Sequence, residues 1–333
     1  MITNRKTAFR NIRRWLPGIF ISLVALVAVF RLVNWKDIRL DFALTHPTHV
    51  TIAVILTLIS LLVRALAWRV LLGNRAGVRQ AFFIINEGYM LNNLFPLRAG
   101  ELGRAVFMGQ ASGLGSFHVL STIVIERAFD LAVAAGLLLI TLPMALELDW
   151  AKPVALMTLG LVVLALFAMF LAARYNRWTR ERLYQIGQRL PVLRRLIIPR
   201  IISLLDGLGI LTQPAQFLLG LFLVILTWVF WLGTYYVMLL TVAPDAPFWW
   251  AMFVDGVLAM GLAIPSAPAG VGVYEASMVA ALSVLKVPVN VGLGFAIFMH
   301  VFNFVVTGFL GMLGLIIERR SISLLFEQIQ LQE

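Results

Sequence analysis

Charged side chains inside apolar stretches are the residues of this sequence best suited to chemistry. A charge within a membrane span is costly, faces the bundle interior or water, and is a functional candidate by default. The charged candidates are Arg98, Glu101, Arg104, Glu126, Arg127, Asp130 and Glu275. Arginine forks match phosphate oxygens, whereas carboxylates can balance the arginines, contact a cation or carry a coupling proton. With the amide of Asn93, these side chains are predicted to bind a phosphate-bearing substrate. The alternative is structural: Arg98 or Arg104 would only neutralise Glu126 or Asp130, and Asn93 would only form hydrogen bonds between helices.

Two interruptions of the apolar pattern lie beside several of these charges. The first covers residues 95–101 and the second covers residues 264–272. The residues predicted to break the helices are Pro96, Gly100, Pro265, Pro268, Gly270 and Gly272. A broken helix frees backbone N–H and C=O groups, which are tolerated at membrane depth only where they line protein or water. The helix start after each break also presents a positive dipole end that suits an anion.

The composition excludes an ordinary soluble domain. The hydrophobic fraction is 61% and the charged fraction 13%, whereas soluble domains average about 45–50% and about 25%. Apolar blocks of roughly 20 residues, the length of a transmembrane helix, take up most of the chain. The net charge of +11 collects at the ends of these blocks, which indicates a positive-inside signal and not nucleic-acid binding. With no cysteine and only four histidines, we expect no disulfide, metal site or cofactor.

The order of apolar blocks predicts an all-α polytopic membrane protein. We expect about six full spans plus two re-entrant broken helical hairpins in an inverted repeat; eight full spans are the alternative. The predicted segments are 1–49 (basic segment and first span), 50–142 (repeat A, with its hairpin at 81–115), 143–216 (connecting span and basic amphipathic segment), 217–317 (repeat B, with its hairpin at 248–286) and 318–333 (tail). Interrupted segments in corresponding halves point to a transporter's binding site.

Basic residues set the predicted orientation in the cell membrane, with both termini cytoplasmic. From Arg174 to Arg200, eight arginines alternate with apolar residues at helical spacing. This pattern indicates a helix in the membrane interface that binds anionic lipids of the inner leaflet. His300, by contrast, is interpreted as a packed, hydrogen-bonded residue, and a proton relay is the alternative.

Three motifs in order carry a family resemblance, running from Asn93 to Arg104, from Glu126 to Asp130 and from Pro265 to Glu275. Over about residues 50–317, the chain resembles the lysylphosphatidylglycerol synthase transmembrane region family, the YbhN-like or AglD/MprF flippase-like membrane proteins. The resemblance implies a bacterial or archaeal polytopic protein that translocates lipids or lipid-linked sugars. Because few residues follow Arg320, we expect neither the soluble aminoacyl-transfer domain nor the glycosyltransferase domain of such proteins, and no synthesis activity.

The function predicted first is a lipid flippase or transporter without chemistry of its own. It would move a phospholipid or lipid-linked headgroup through a polar cavity between the two hairpins. One alternative is a membrane glycosyltransferase-like or lipid-modifying enzyme, in which Glu147 and Asp149 could bind a divalent metal. The other is a non-catalytic partner subunit of a separate lipid synthase. A scaffold subunit predicts that alanine at Arg98, Glu101 or Glu275 changes nothing except stability.

Overall fold

The computed structural model describes residues 47–95, 98–145, 151–189, 197–264 and 266–320, and every regular element within these ranges is a helix. The all-α class is therefore confirmed for the described chain. The first span, the helix breakers Pro96 and Pro265, the acidic turn at 147–149 and most of the tail lie outside these ranges.

Eleven α-helices make up the described ranges. The first four are α1 (Pro47–Leu71), α2 (Val78–Leu94), α3 (Ala99–Ser112) and α4 (Ser116–Ala145). Three helices follow: α5 (Ala151–Arg174), α6 (Asn176–Arg189) and α7 (Ile198–Gly207), with a 3-10 turn at Leu208–Thr212. The last four are α8 (Pro214–Leu239), α9 (Phe248–Leu262), α10 (Val273–Val284) and α11 (Val289–Ile317), with a 3-10 turn at Pro268–Gly270 between α9 and α10.

Three of the described helices are long and apolar enough to cross a membrane. They are α1, α8 and α11, with 25, 26 and 29 residues. At about 1.5 Å per residue, each exceeds the roughly 30 Å of a hydrocarbon core. A fourth crossing is possible in the bent pair of α5 and α6, whose axes differ by 72°. The chain is thus a helical membrane protein, and its number of spans stays a prediction.

Four other helices are short and form two pairs, α2 with α3 and α9 with α10. The two helices of each pair lie on either side of an interruption. Helices α2 and α3 have 17 and 14 residues, and α9 and α10 have 15 and 12. We call residues 95–98 the first break and residues 263–272 the second break. At the first break, Phe95 is extended and Arg98 is left-handed, with φ 55°. The second break contains Ala269 with φ 57° and Gly272 with φ 86°.

The halves of the molecule pack on each other through matching helices. Helix α1 runs along α8, α2 packs against α11, and α4 packs against α9. One apolar core lies among α1 to α4 and α8, with Trp68 and Phe129 at its centre. A second core lies among α8 to α11 around Tyr235 and Phe295. The second break also lies against the first half of the molecule, because α2 contacts its 3-10 turn.

A close backbone approach fixes the first hairpin. A Cβ atom on Gly100 would lie 1.8 Å from the carbonyl oxygen of Gly88, so only glycine allows α2 and α3 to meet here. The backbone N–H of Gly100 also donates to Oδ1 of Asn92 at 2.8 Å, which satisfies one free donor at the start of α3. Helix α3 is thereby held with its first turn against α2.

Candidate functional site

A buried ion cluster lies beside the first break, and Glu126 is its centre. Only 1% of the Glu126 side chain is exposed. Its carboxylate accepts hydrogen bonds from Nη2 of Arg104 at 2.8 Å and from Nη2 of Arg64 at 2.7 Å. These residues come from α3, α4 and α1, so one carboxylate joins three helices. Removing one partner of such a buried pair leaves an uncompensated charge, which makes the cluster a strong constraint on helix packing.

Asp130 forms the second centre, one helical turn after Glu126 on α4. Nη1 of Arg64 donates to its Oδ1 at 2.9 Å, and Nη1 of Arg127 donates to its Oδ2 at 3.2 Å. The indole Nε1 of Trp228 on α8 also donates to Oδ1 at 3.0 Å. Arg64 therefore spans both carboxylates, as the fork of a guanidinium allows.

The outer part of the cluster reaches the first break. Glu101 pairs with Nε of Arg127 at 3.0 Å and with Nη1 of Arg98 at 3.6 Å. The side chains of Arg98 and Arg127 are 41% and 28% exposed, whereas that of Arg104 is 1% exposed. Arg98 also donates to the carbonyl oxygen of Leu262, at the end of α9. This bond connects the first break directly to the second.

The residues joined by these ion pairs, here called the arginine network, are Arg64, Arg98, Glu101, Arg104, Glu126, Arg127 and Asp130. Four arginines face three carboxylates, so the network carries one positive charge in excess. The carboxylates at its interior are each shared by more than one arginine. Arg98 and Arg127 form the more exposed end of the network, which an anion can approach.

Aromatic packing supports the interior of the network. The guanidinium of Arg104 lies over the ring of Trp68, 4.2 Å from its centroid, and a desolvated cation–π contact of this kind adds to the ion pair. Nε1 of Trp68 donates to Oγ1 of Thr122 at 3.1 Å, which fixes the indole. Arg104 is thus enclosed on one side by a ring and on the other by Glu126.

The second break holds a different constellation around Glu275. Oε2 of Glu275 accepts the backbone N–H of Gly272 at 2.7 Å, and Oε1 lies 2.6 Å from Nδ1 of His300 on α11. Nε2 of His300 lies 3.1 Å from the carbonyl oxygen of Ala269. His300 is therefore hydrogen-bonded and part-buried, as its interpretation from the sequence expected. One ring nitrogen thus contacts Glu275, and the other contacts the backbone of the break at Ala269.

A chain of polar groups leads from the second break toward α2. The hydroxyls of Tyr235 and Tyr274 lie 2.7 Å apart, and Nδ2 of Asn303 donates to Tyr274 at 3.3 Å. Thr307 donates to the carbonyl of Asn303, and Nδ2 of Asn93 donates to Thr307 at 3.1 Å. Asn93 thus connects α2 to α11.

The structure brings six of the eight predicted substrate residues into one cluster: Arg98, Glu101, Arg104, Glu126, Arg127 and Asp130. Asn93 and Glu275 make their described contacts at the second half of the molecule instead. Sequence reasoning left Arg64, Trp228 and His300 out of the predicted set. Arg64 carried a signal, because it is a charge within a span. Trp228 carried no such signal, because tryptophan is common at membrane interfaces, where its amphipathic ring lies at the level of the headgroups.

Two further features lie toward the ends of α2 and α11. Glu87 is fully buried, and both its oxygens accept from Nη1 of Arg320 at 2.9 Å. Nearby is an apolar groove of about 790 Å³ with Arg79 at its edge. It is lined by Leu58, Leu62, Val78, Arg79, Phe82, Phe83 and Ile317. In the part of the chain that the structure describes, no group of three or more His, Asp or Glu side chains is arranged to hold a metal.

Comparison with known proteins groups the chain with membrane proteins. Residues 15–311 match the lysylphosphatidylglycerol synthase TM region family. The chain belongs to this family. It is 29% identical over 251 residues to a UPF0104 membrane protein of Methanothermobacter thermautotrophicus, covering 72% of this chain and 74% of the relative. A UPF0104 membrane protein of Methanocaldococcus jannaschii is 25% identical over 120 residues, covering 34% of this chain and 36% of the relative. No solved structure matches the chain significantly.

Proposed function

We propose that the protein is a lipid flippase or transporter that moves a phosphate-bearing headgroup between leaflets at the junction of the two breaks. The observation that carries the proposal is the positive charge in excess in the arginine network, whose more exposed end is formed by Arg98 and Arg127. A clamp that served packing alone would need no more cations than carboxylates, whereas here the side chain of Arg98 is 41% exposed and its guanidinium lies 3.6 Å from the carboxylate that it shares with Arg127. A lipid phosphate supplies the missing anion, and a guanidinium can bind it with two hydrogen bonds.

The proposal includes an inverted repeat of residues 50–142 and 217–317. In both segments a long helix precedes two short helices, and a second long helix follows. The contacts between the segments match in pairs: α1 packs on α8, and the contact of α2 with α11 has its counterpart in that of α9 with α4. Such repeats are common in transporters, which bind substrate where the repeats meet.

The short helices are proposed to be re-entrant arms. At about 1.5 Å per residue, 12 to 17 residues extend roughly 18–26 Å, which is less than the roughly 30 Å of a hydrocarbon core. Arms that turn back place both breaks inside the membrane. Backbone groups freed there need partners, and Leu262 O, Gly100 N and Gly272 N each have a side-chain partner.

The lipid tails are proposed to stay outside the network, in contact with the membrane. The groove at Arg79 is open and almost entirely apolar, which suits an acyl chain. Helix α6, which bends away from α5, is proposed to lie on the inner surface. Its exposed Trp178 and Tyr184 suit the interface, and its arginines attract anionic lipids by about 1 kcal/mol each.

Lipid translocation in proteoliposomes tests this function. Fluorescent anionic, zwitterionic and polyprenyl-linked lipids are compared for the wild type, Arg98→Ala and Arg177→Ala, the last as a control at an exposed arginine of α6. We expect protein-dependent translocation that Arg98→Ala slows at least about tenfold, since a hydrogen bond to a charged group contributes about 1.5–3 kcal/mol. Arg177→Ala should resemble the wild type. Absence of translocation for every lipid, with or without a pH gradient, would contradict the proposal and favour a partner subunit.

A further inference from the structure

We propose that Glu275 and His300 form a proton-binding site of the transporter, and that the bound proton couples lipid movement to the pH gradient. This proposal rests on the proposed function. It names the ion that would drive transport and assigns it to the second break, whereas the headgroup is assigned to the arginine network at the first break.

Both ring nitrogens of His300 face oxygen atoms that can accept a hydrogen bond. Nε2 lies 3.1 Å from Ala269 O, and a carbonyl oxygen only accepts. Nδ1 lies 2.6 Å from Oε1 of Glu275. A neutral imidazole can donate to only one of these oxygens. Both contacts are hydrogen bonds together only when one further proton lies between Nδ1 and Oε1, and the proposal assigns that proton to the site.

The surroundings place that proton on the histidine. Oε2 of Glu275 accepts the backbone N–H of Gly272 at 2.7 Å, and this bond favours the ionised carboxylate. The ring of Tyr274 stacks on the imidazole with centroids 4.4 Å apart, and an aromatic face attracts a cation. In the proposal the pair is an imidazolium beside a carboxylate, and it releases one proton when the imidazole becomes neutral.

The other groups that face the pair come from each neighbouring helix. Tyr274 belongs to α10 itself, Tyr235 comes from α8, and Asn303 comes from α11. Asp255, buried on α9, interacts electrostatically with both tyrosines. Within the described ranges, no arginine or lysine forms an ion pair with Glu275, so the compensating cation of this carboxylate is His300 itself.

Proton binding is linked to the conformation of the break, because two of the contacts are to its backbone. His300 holds Ala269 O and Glu275 holds Gly272 N, and Ala269 and Gly272 both have positive φ. Loss of the proton removes the attraction between Nδ1 and Oε1, so Ala269 in the 3-10 turn and Gly272 after it are no longer held together through His300 and Glu275. By linkage, a movement that separates them releases the proton. Arg98, bonded to Leu262 O, transmits that movement to the headgroup site.

Nitrogen-15 NMR of histidine-labelled protein in nanodiscs measures the proton independently of transport. The chain has four histidines, so His300→Asn assigns the signal. We expect both ring nitrogens of His300 to carry protons at neutral pH in the wild type, and Glu275→Gln to convert it to a neutral tautomer. Infrared spectroscopy shows whether Glu275 carries the proton instead, as a carboxyl band that Glu275→Gln removes. A neutral wild-type imidazole together with the absence of such a band would overturn the proposal.

Translocation with an imposed pH gradient tests the coupling. We expect the gradient to change the wild-type rate severalfold, and the rates of Glu275→Gln and His300→Asn to be the same with and without it. Asp245→Asn, at an exposed carboxylate of the loop before α9, is the matched control and should respond as the wild type does. Wild-type translocation that ignores the gradient would overturn the coupling and leave the flippase intact. An imidazolium without any translocation would instead remove the proposed function, and with it the coupling.

Discussion

The two breaks use polar groups in opposite ways. Beside the first break, the charged side chains of α3 and α4 bond to each other and to side chains of α1 and α8. At the second break, Glu275 and His300 bond to each other and to the backbone of the break itself. The first arrangement joins several helices through their side chains, whereas the second joins α10 and α11 to the backbone of the break between α9 and α10.

This difference assigns different tasks to the two halves. Buried ion pairs shared among three helices have little freedom to rearrange, so the arginine network suits a fixed site for a headgroup. One proton holds the contact at the second break, and removal of a proton is a small change with a large local effect. Arg98 is the direct link, because its guanidinium reaches from the first break to the end of α9.

The largest effect is expected for Glu126→Gln, which disturbs the rigid half. The substitution leaves Arg64 and Arg104 buried around a neutral amide. Breaking a buried pair in this way costs about 3–5 kcal/mol, which should lower the thermal stability of the purified protein strongly. Glu181→Gln, in an exposed pair with Arg177, is the control and should change little. Equal melting temperatures for both variants would show that the network does not hold the helices.

A second large effect is expected for Gly100→Ala, which forces α2 and α3 apart. The added methyl group would lie 1.8 Å from the oxygen of Gly88, and overpacking costs about 1–3 kcal/mol or more. Gly136→Ala is the matched control on α4, where nothing lies within 4 Å of the new Cβ. It should be neutral or slightly stabilising. The comparison is read from thermal unfolding, and a harmless Gly100→Ala would contradict the close crossing.

Arg98→Gly separates stability from function at the link between the breaks. Arg98 has φ 55°, a left-handed conformation that costs a non-glycine residue about 1–2 kcal/mol. We expect the glycine variant to unfold at the same or a higher temperature and yet to lose most lipid translocation. A variant that transports normally would remove the guanidinium from the mechanism, whereas a less stable one would show that its bond to Leu262 outweighs the strain.

The smallest effect is expected for Tyr235→Phe at the second break. The substitution removes one hydroxyl, which lies 2.7 Å from that of Tyr274, while Asn303 still donates to Tyr274. One hydrogen bond of this kind contributes about 1 kcal/mol, so a fall in melting temperature of a few degrees is expected. A loss as large as that of Glu126→Gln would mean that the second break is held as rigidly as the first.

The helical elements could be predicted from the sequence because their signals are local. The expected arms at 248–264 and 271–285 correspond to α9 and α10, and the charged candidates of the first break do cluster. Continuous apolar residues indicate membrane helices, and proline and glycine residues indicate where these helices are interrupted. The family assignment followed from the motifs around those interruptions.

The partners of the charges could not be predicted, because they depend on tertiary packing. Glu126 meets Arg64 across 62 positions, and Asp130 meets Trp228 across 98. Nothing in the sequence near Glu275 indicates that His300 faces it from a helix 25 residues later. Asn93, which the sequence suggested as a ligand contact, bonds to Thr307, 214 positions away.

Cysteine accessibility tests the central claim, that both breaks meet inside the membrane, most directly. The chain has no cysteine, so Ala99→Cys and Ser266→Cys report the first and second breaks without background. An impermeant maleimide is applied to either side of oriented vesicles, with a cysteine at Asp245 as the surface reference. The account predicts slow labelling at both breaks, with rates that change when lipid substrate or a pH gradient is present. Rapid labelling of the first break only from outside, and of the second only from inside, would mean eight complete spans and would contradict the account.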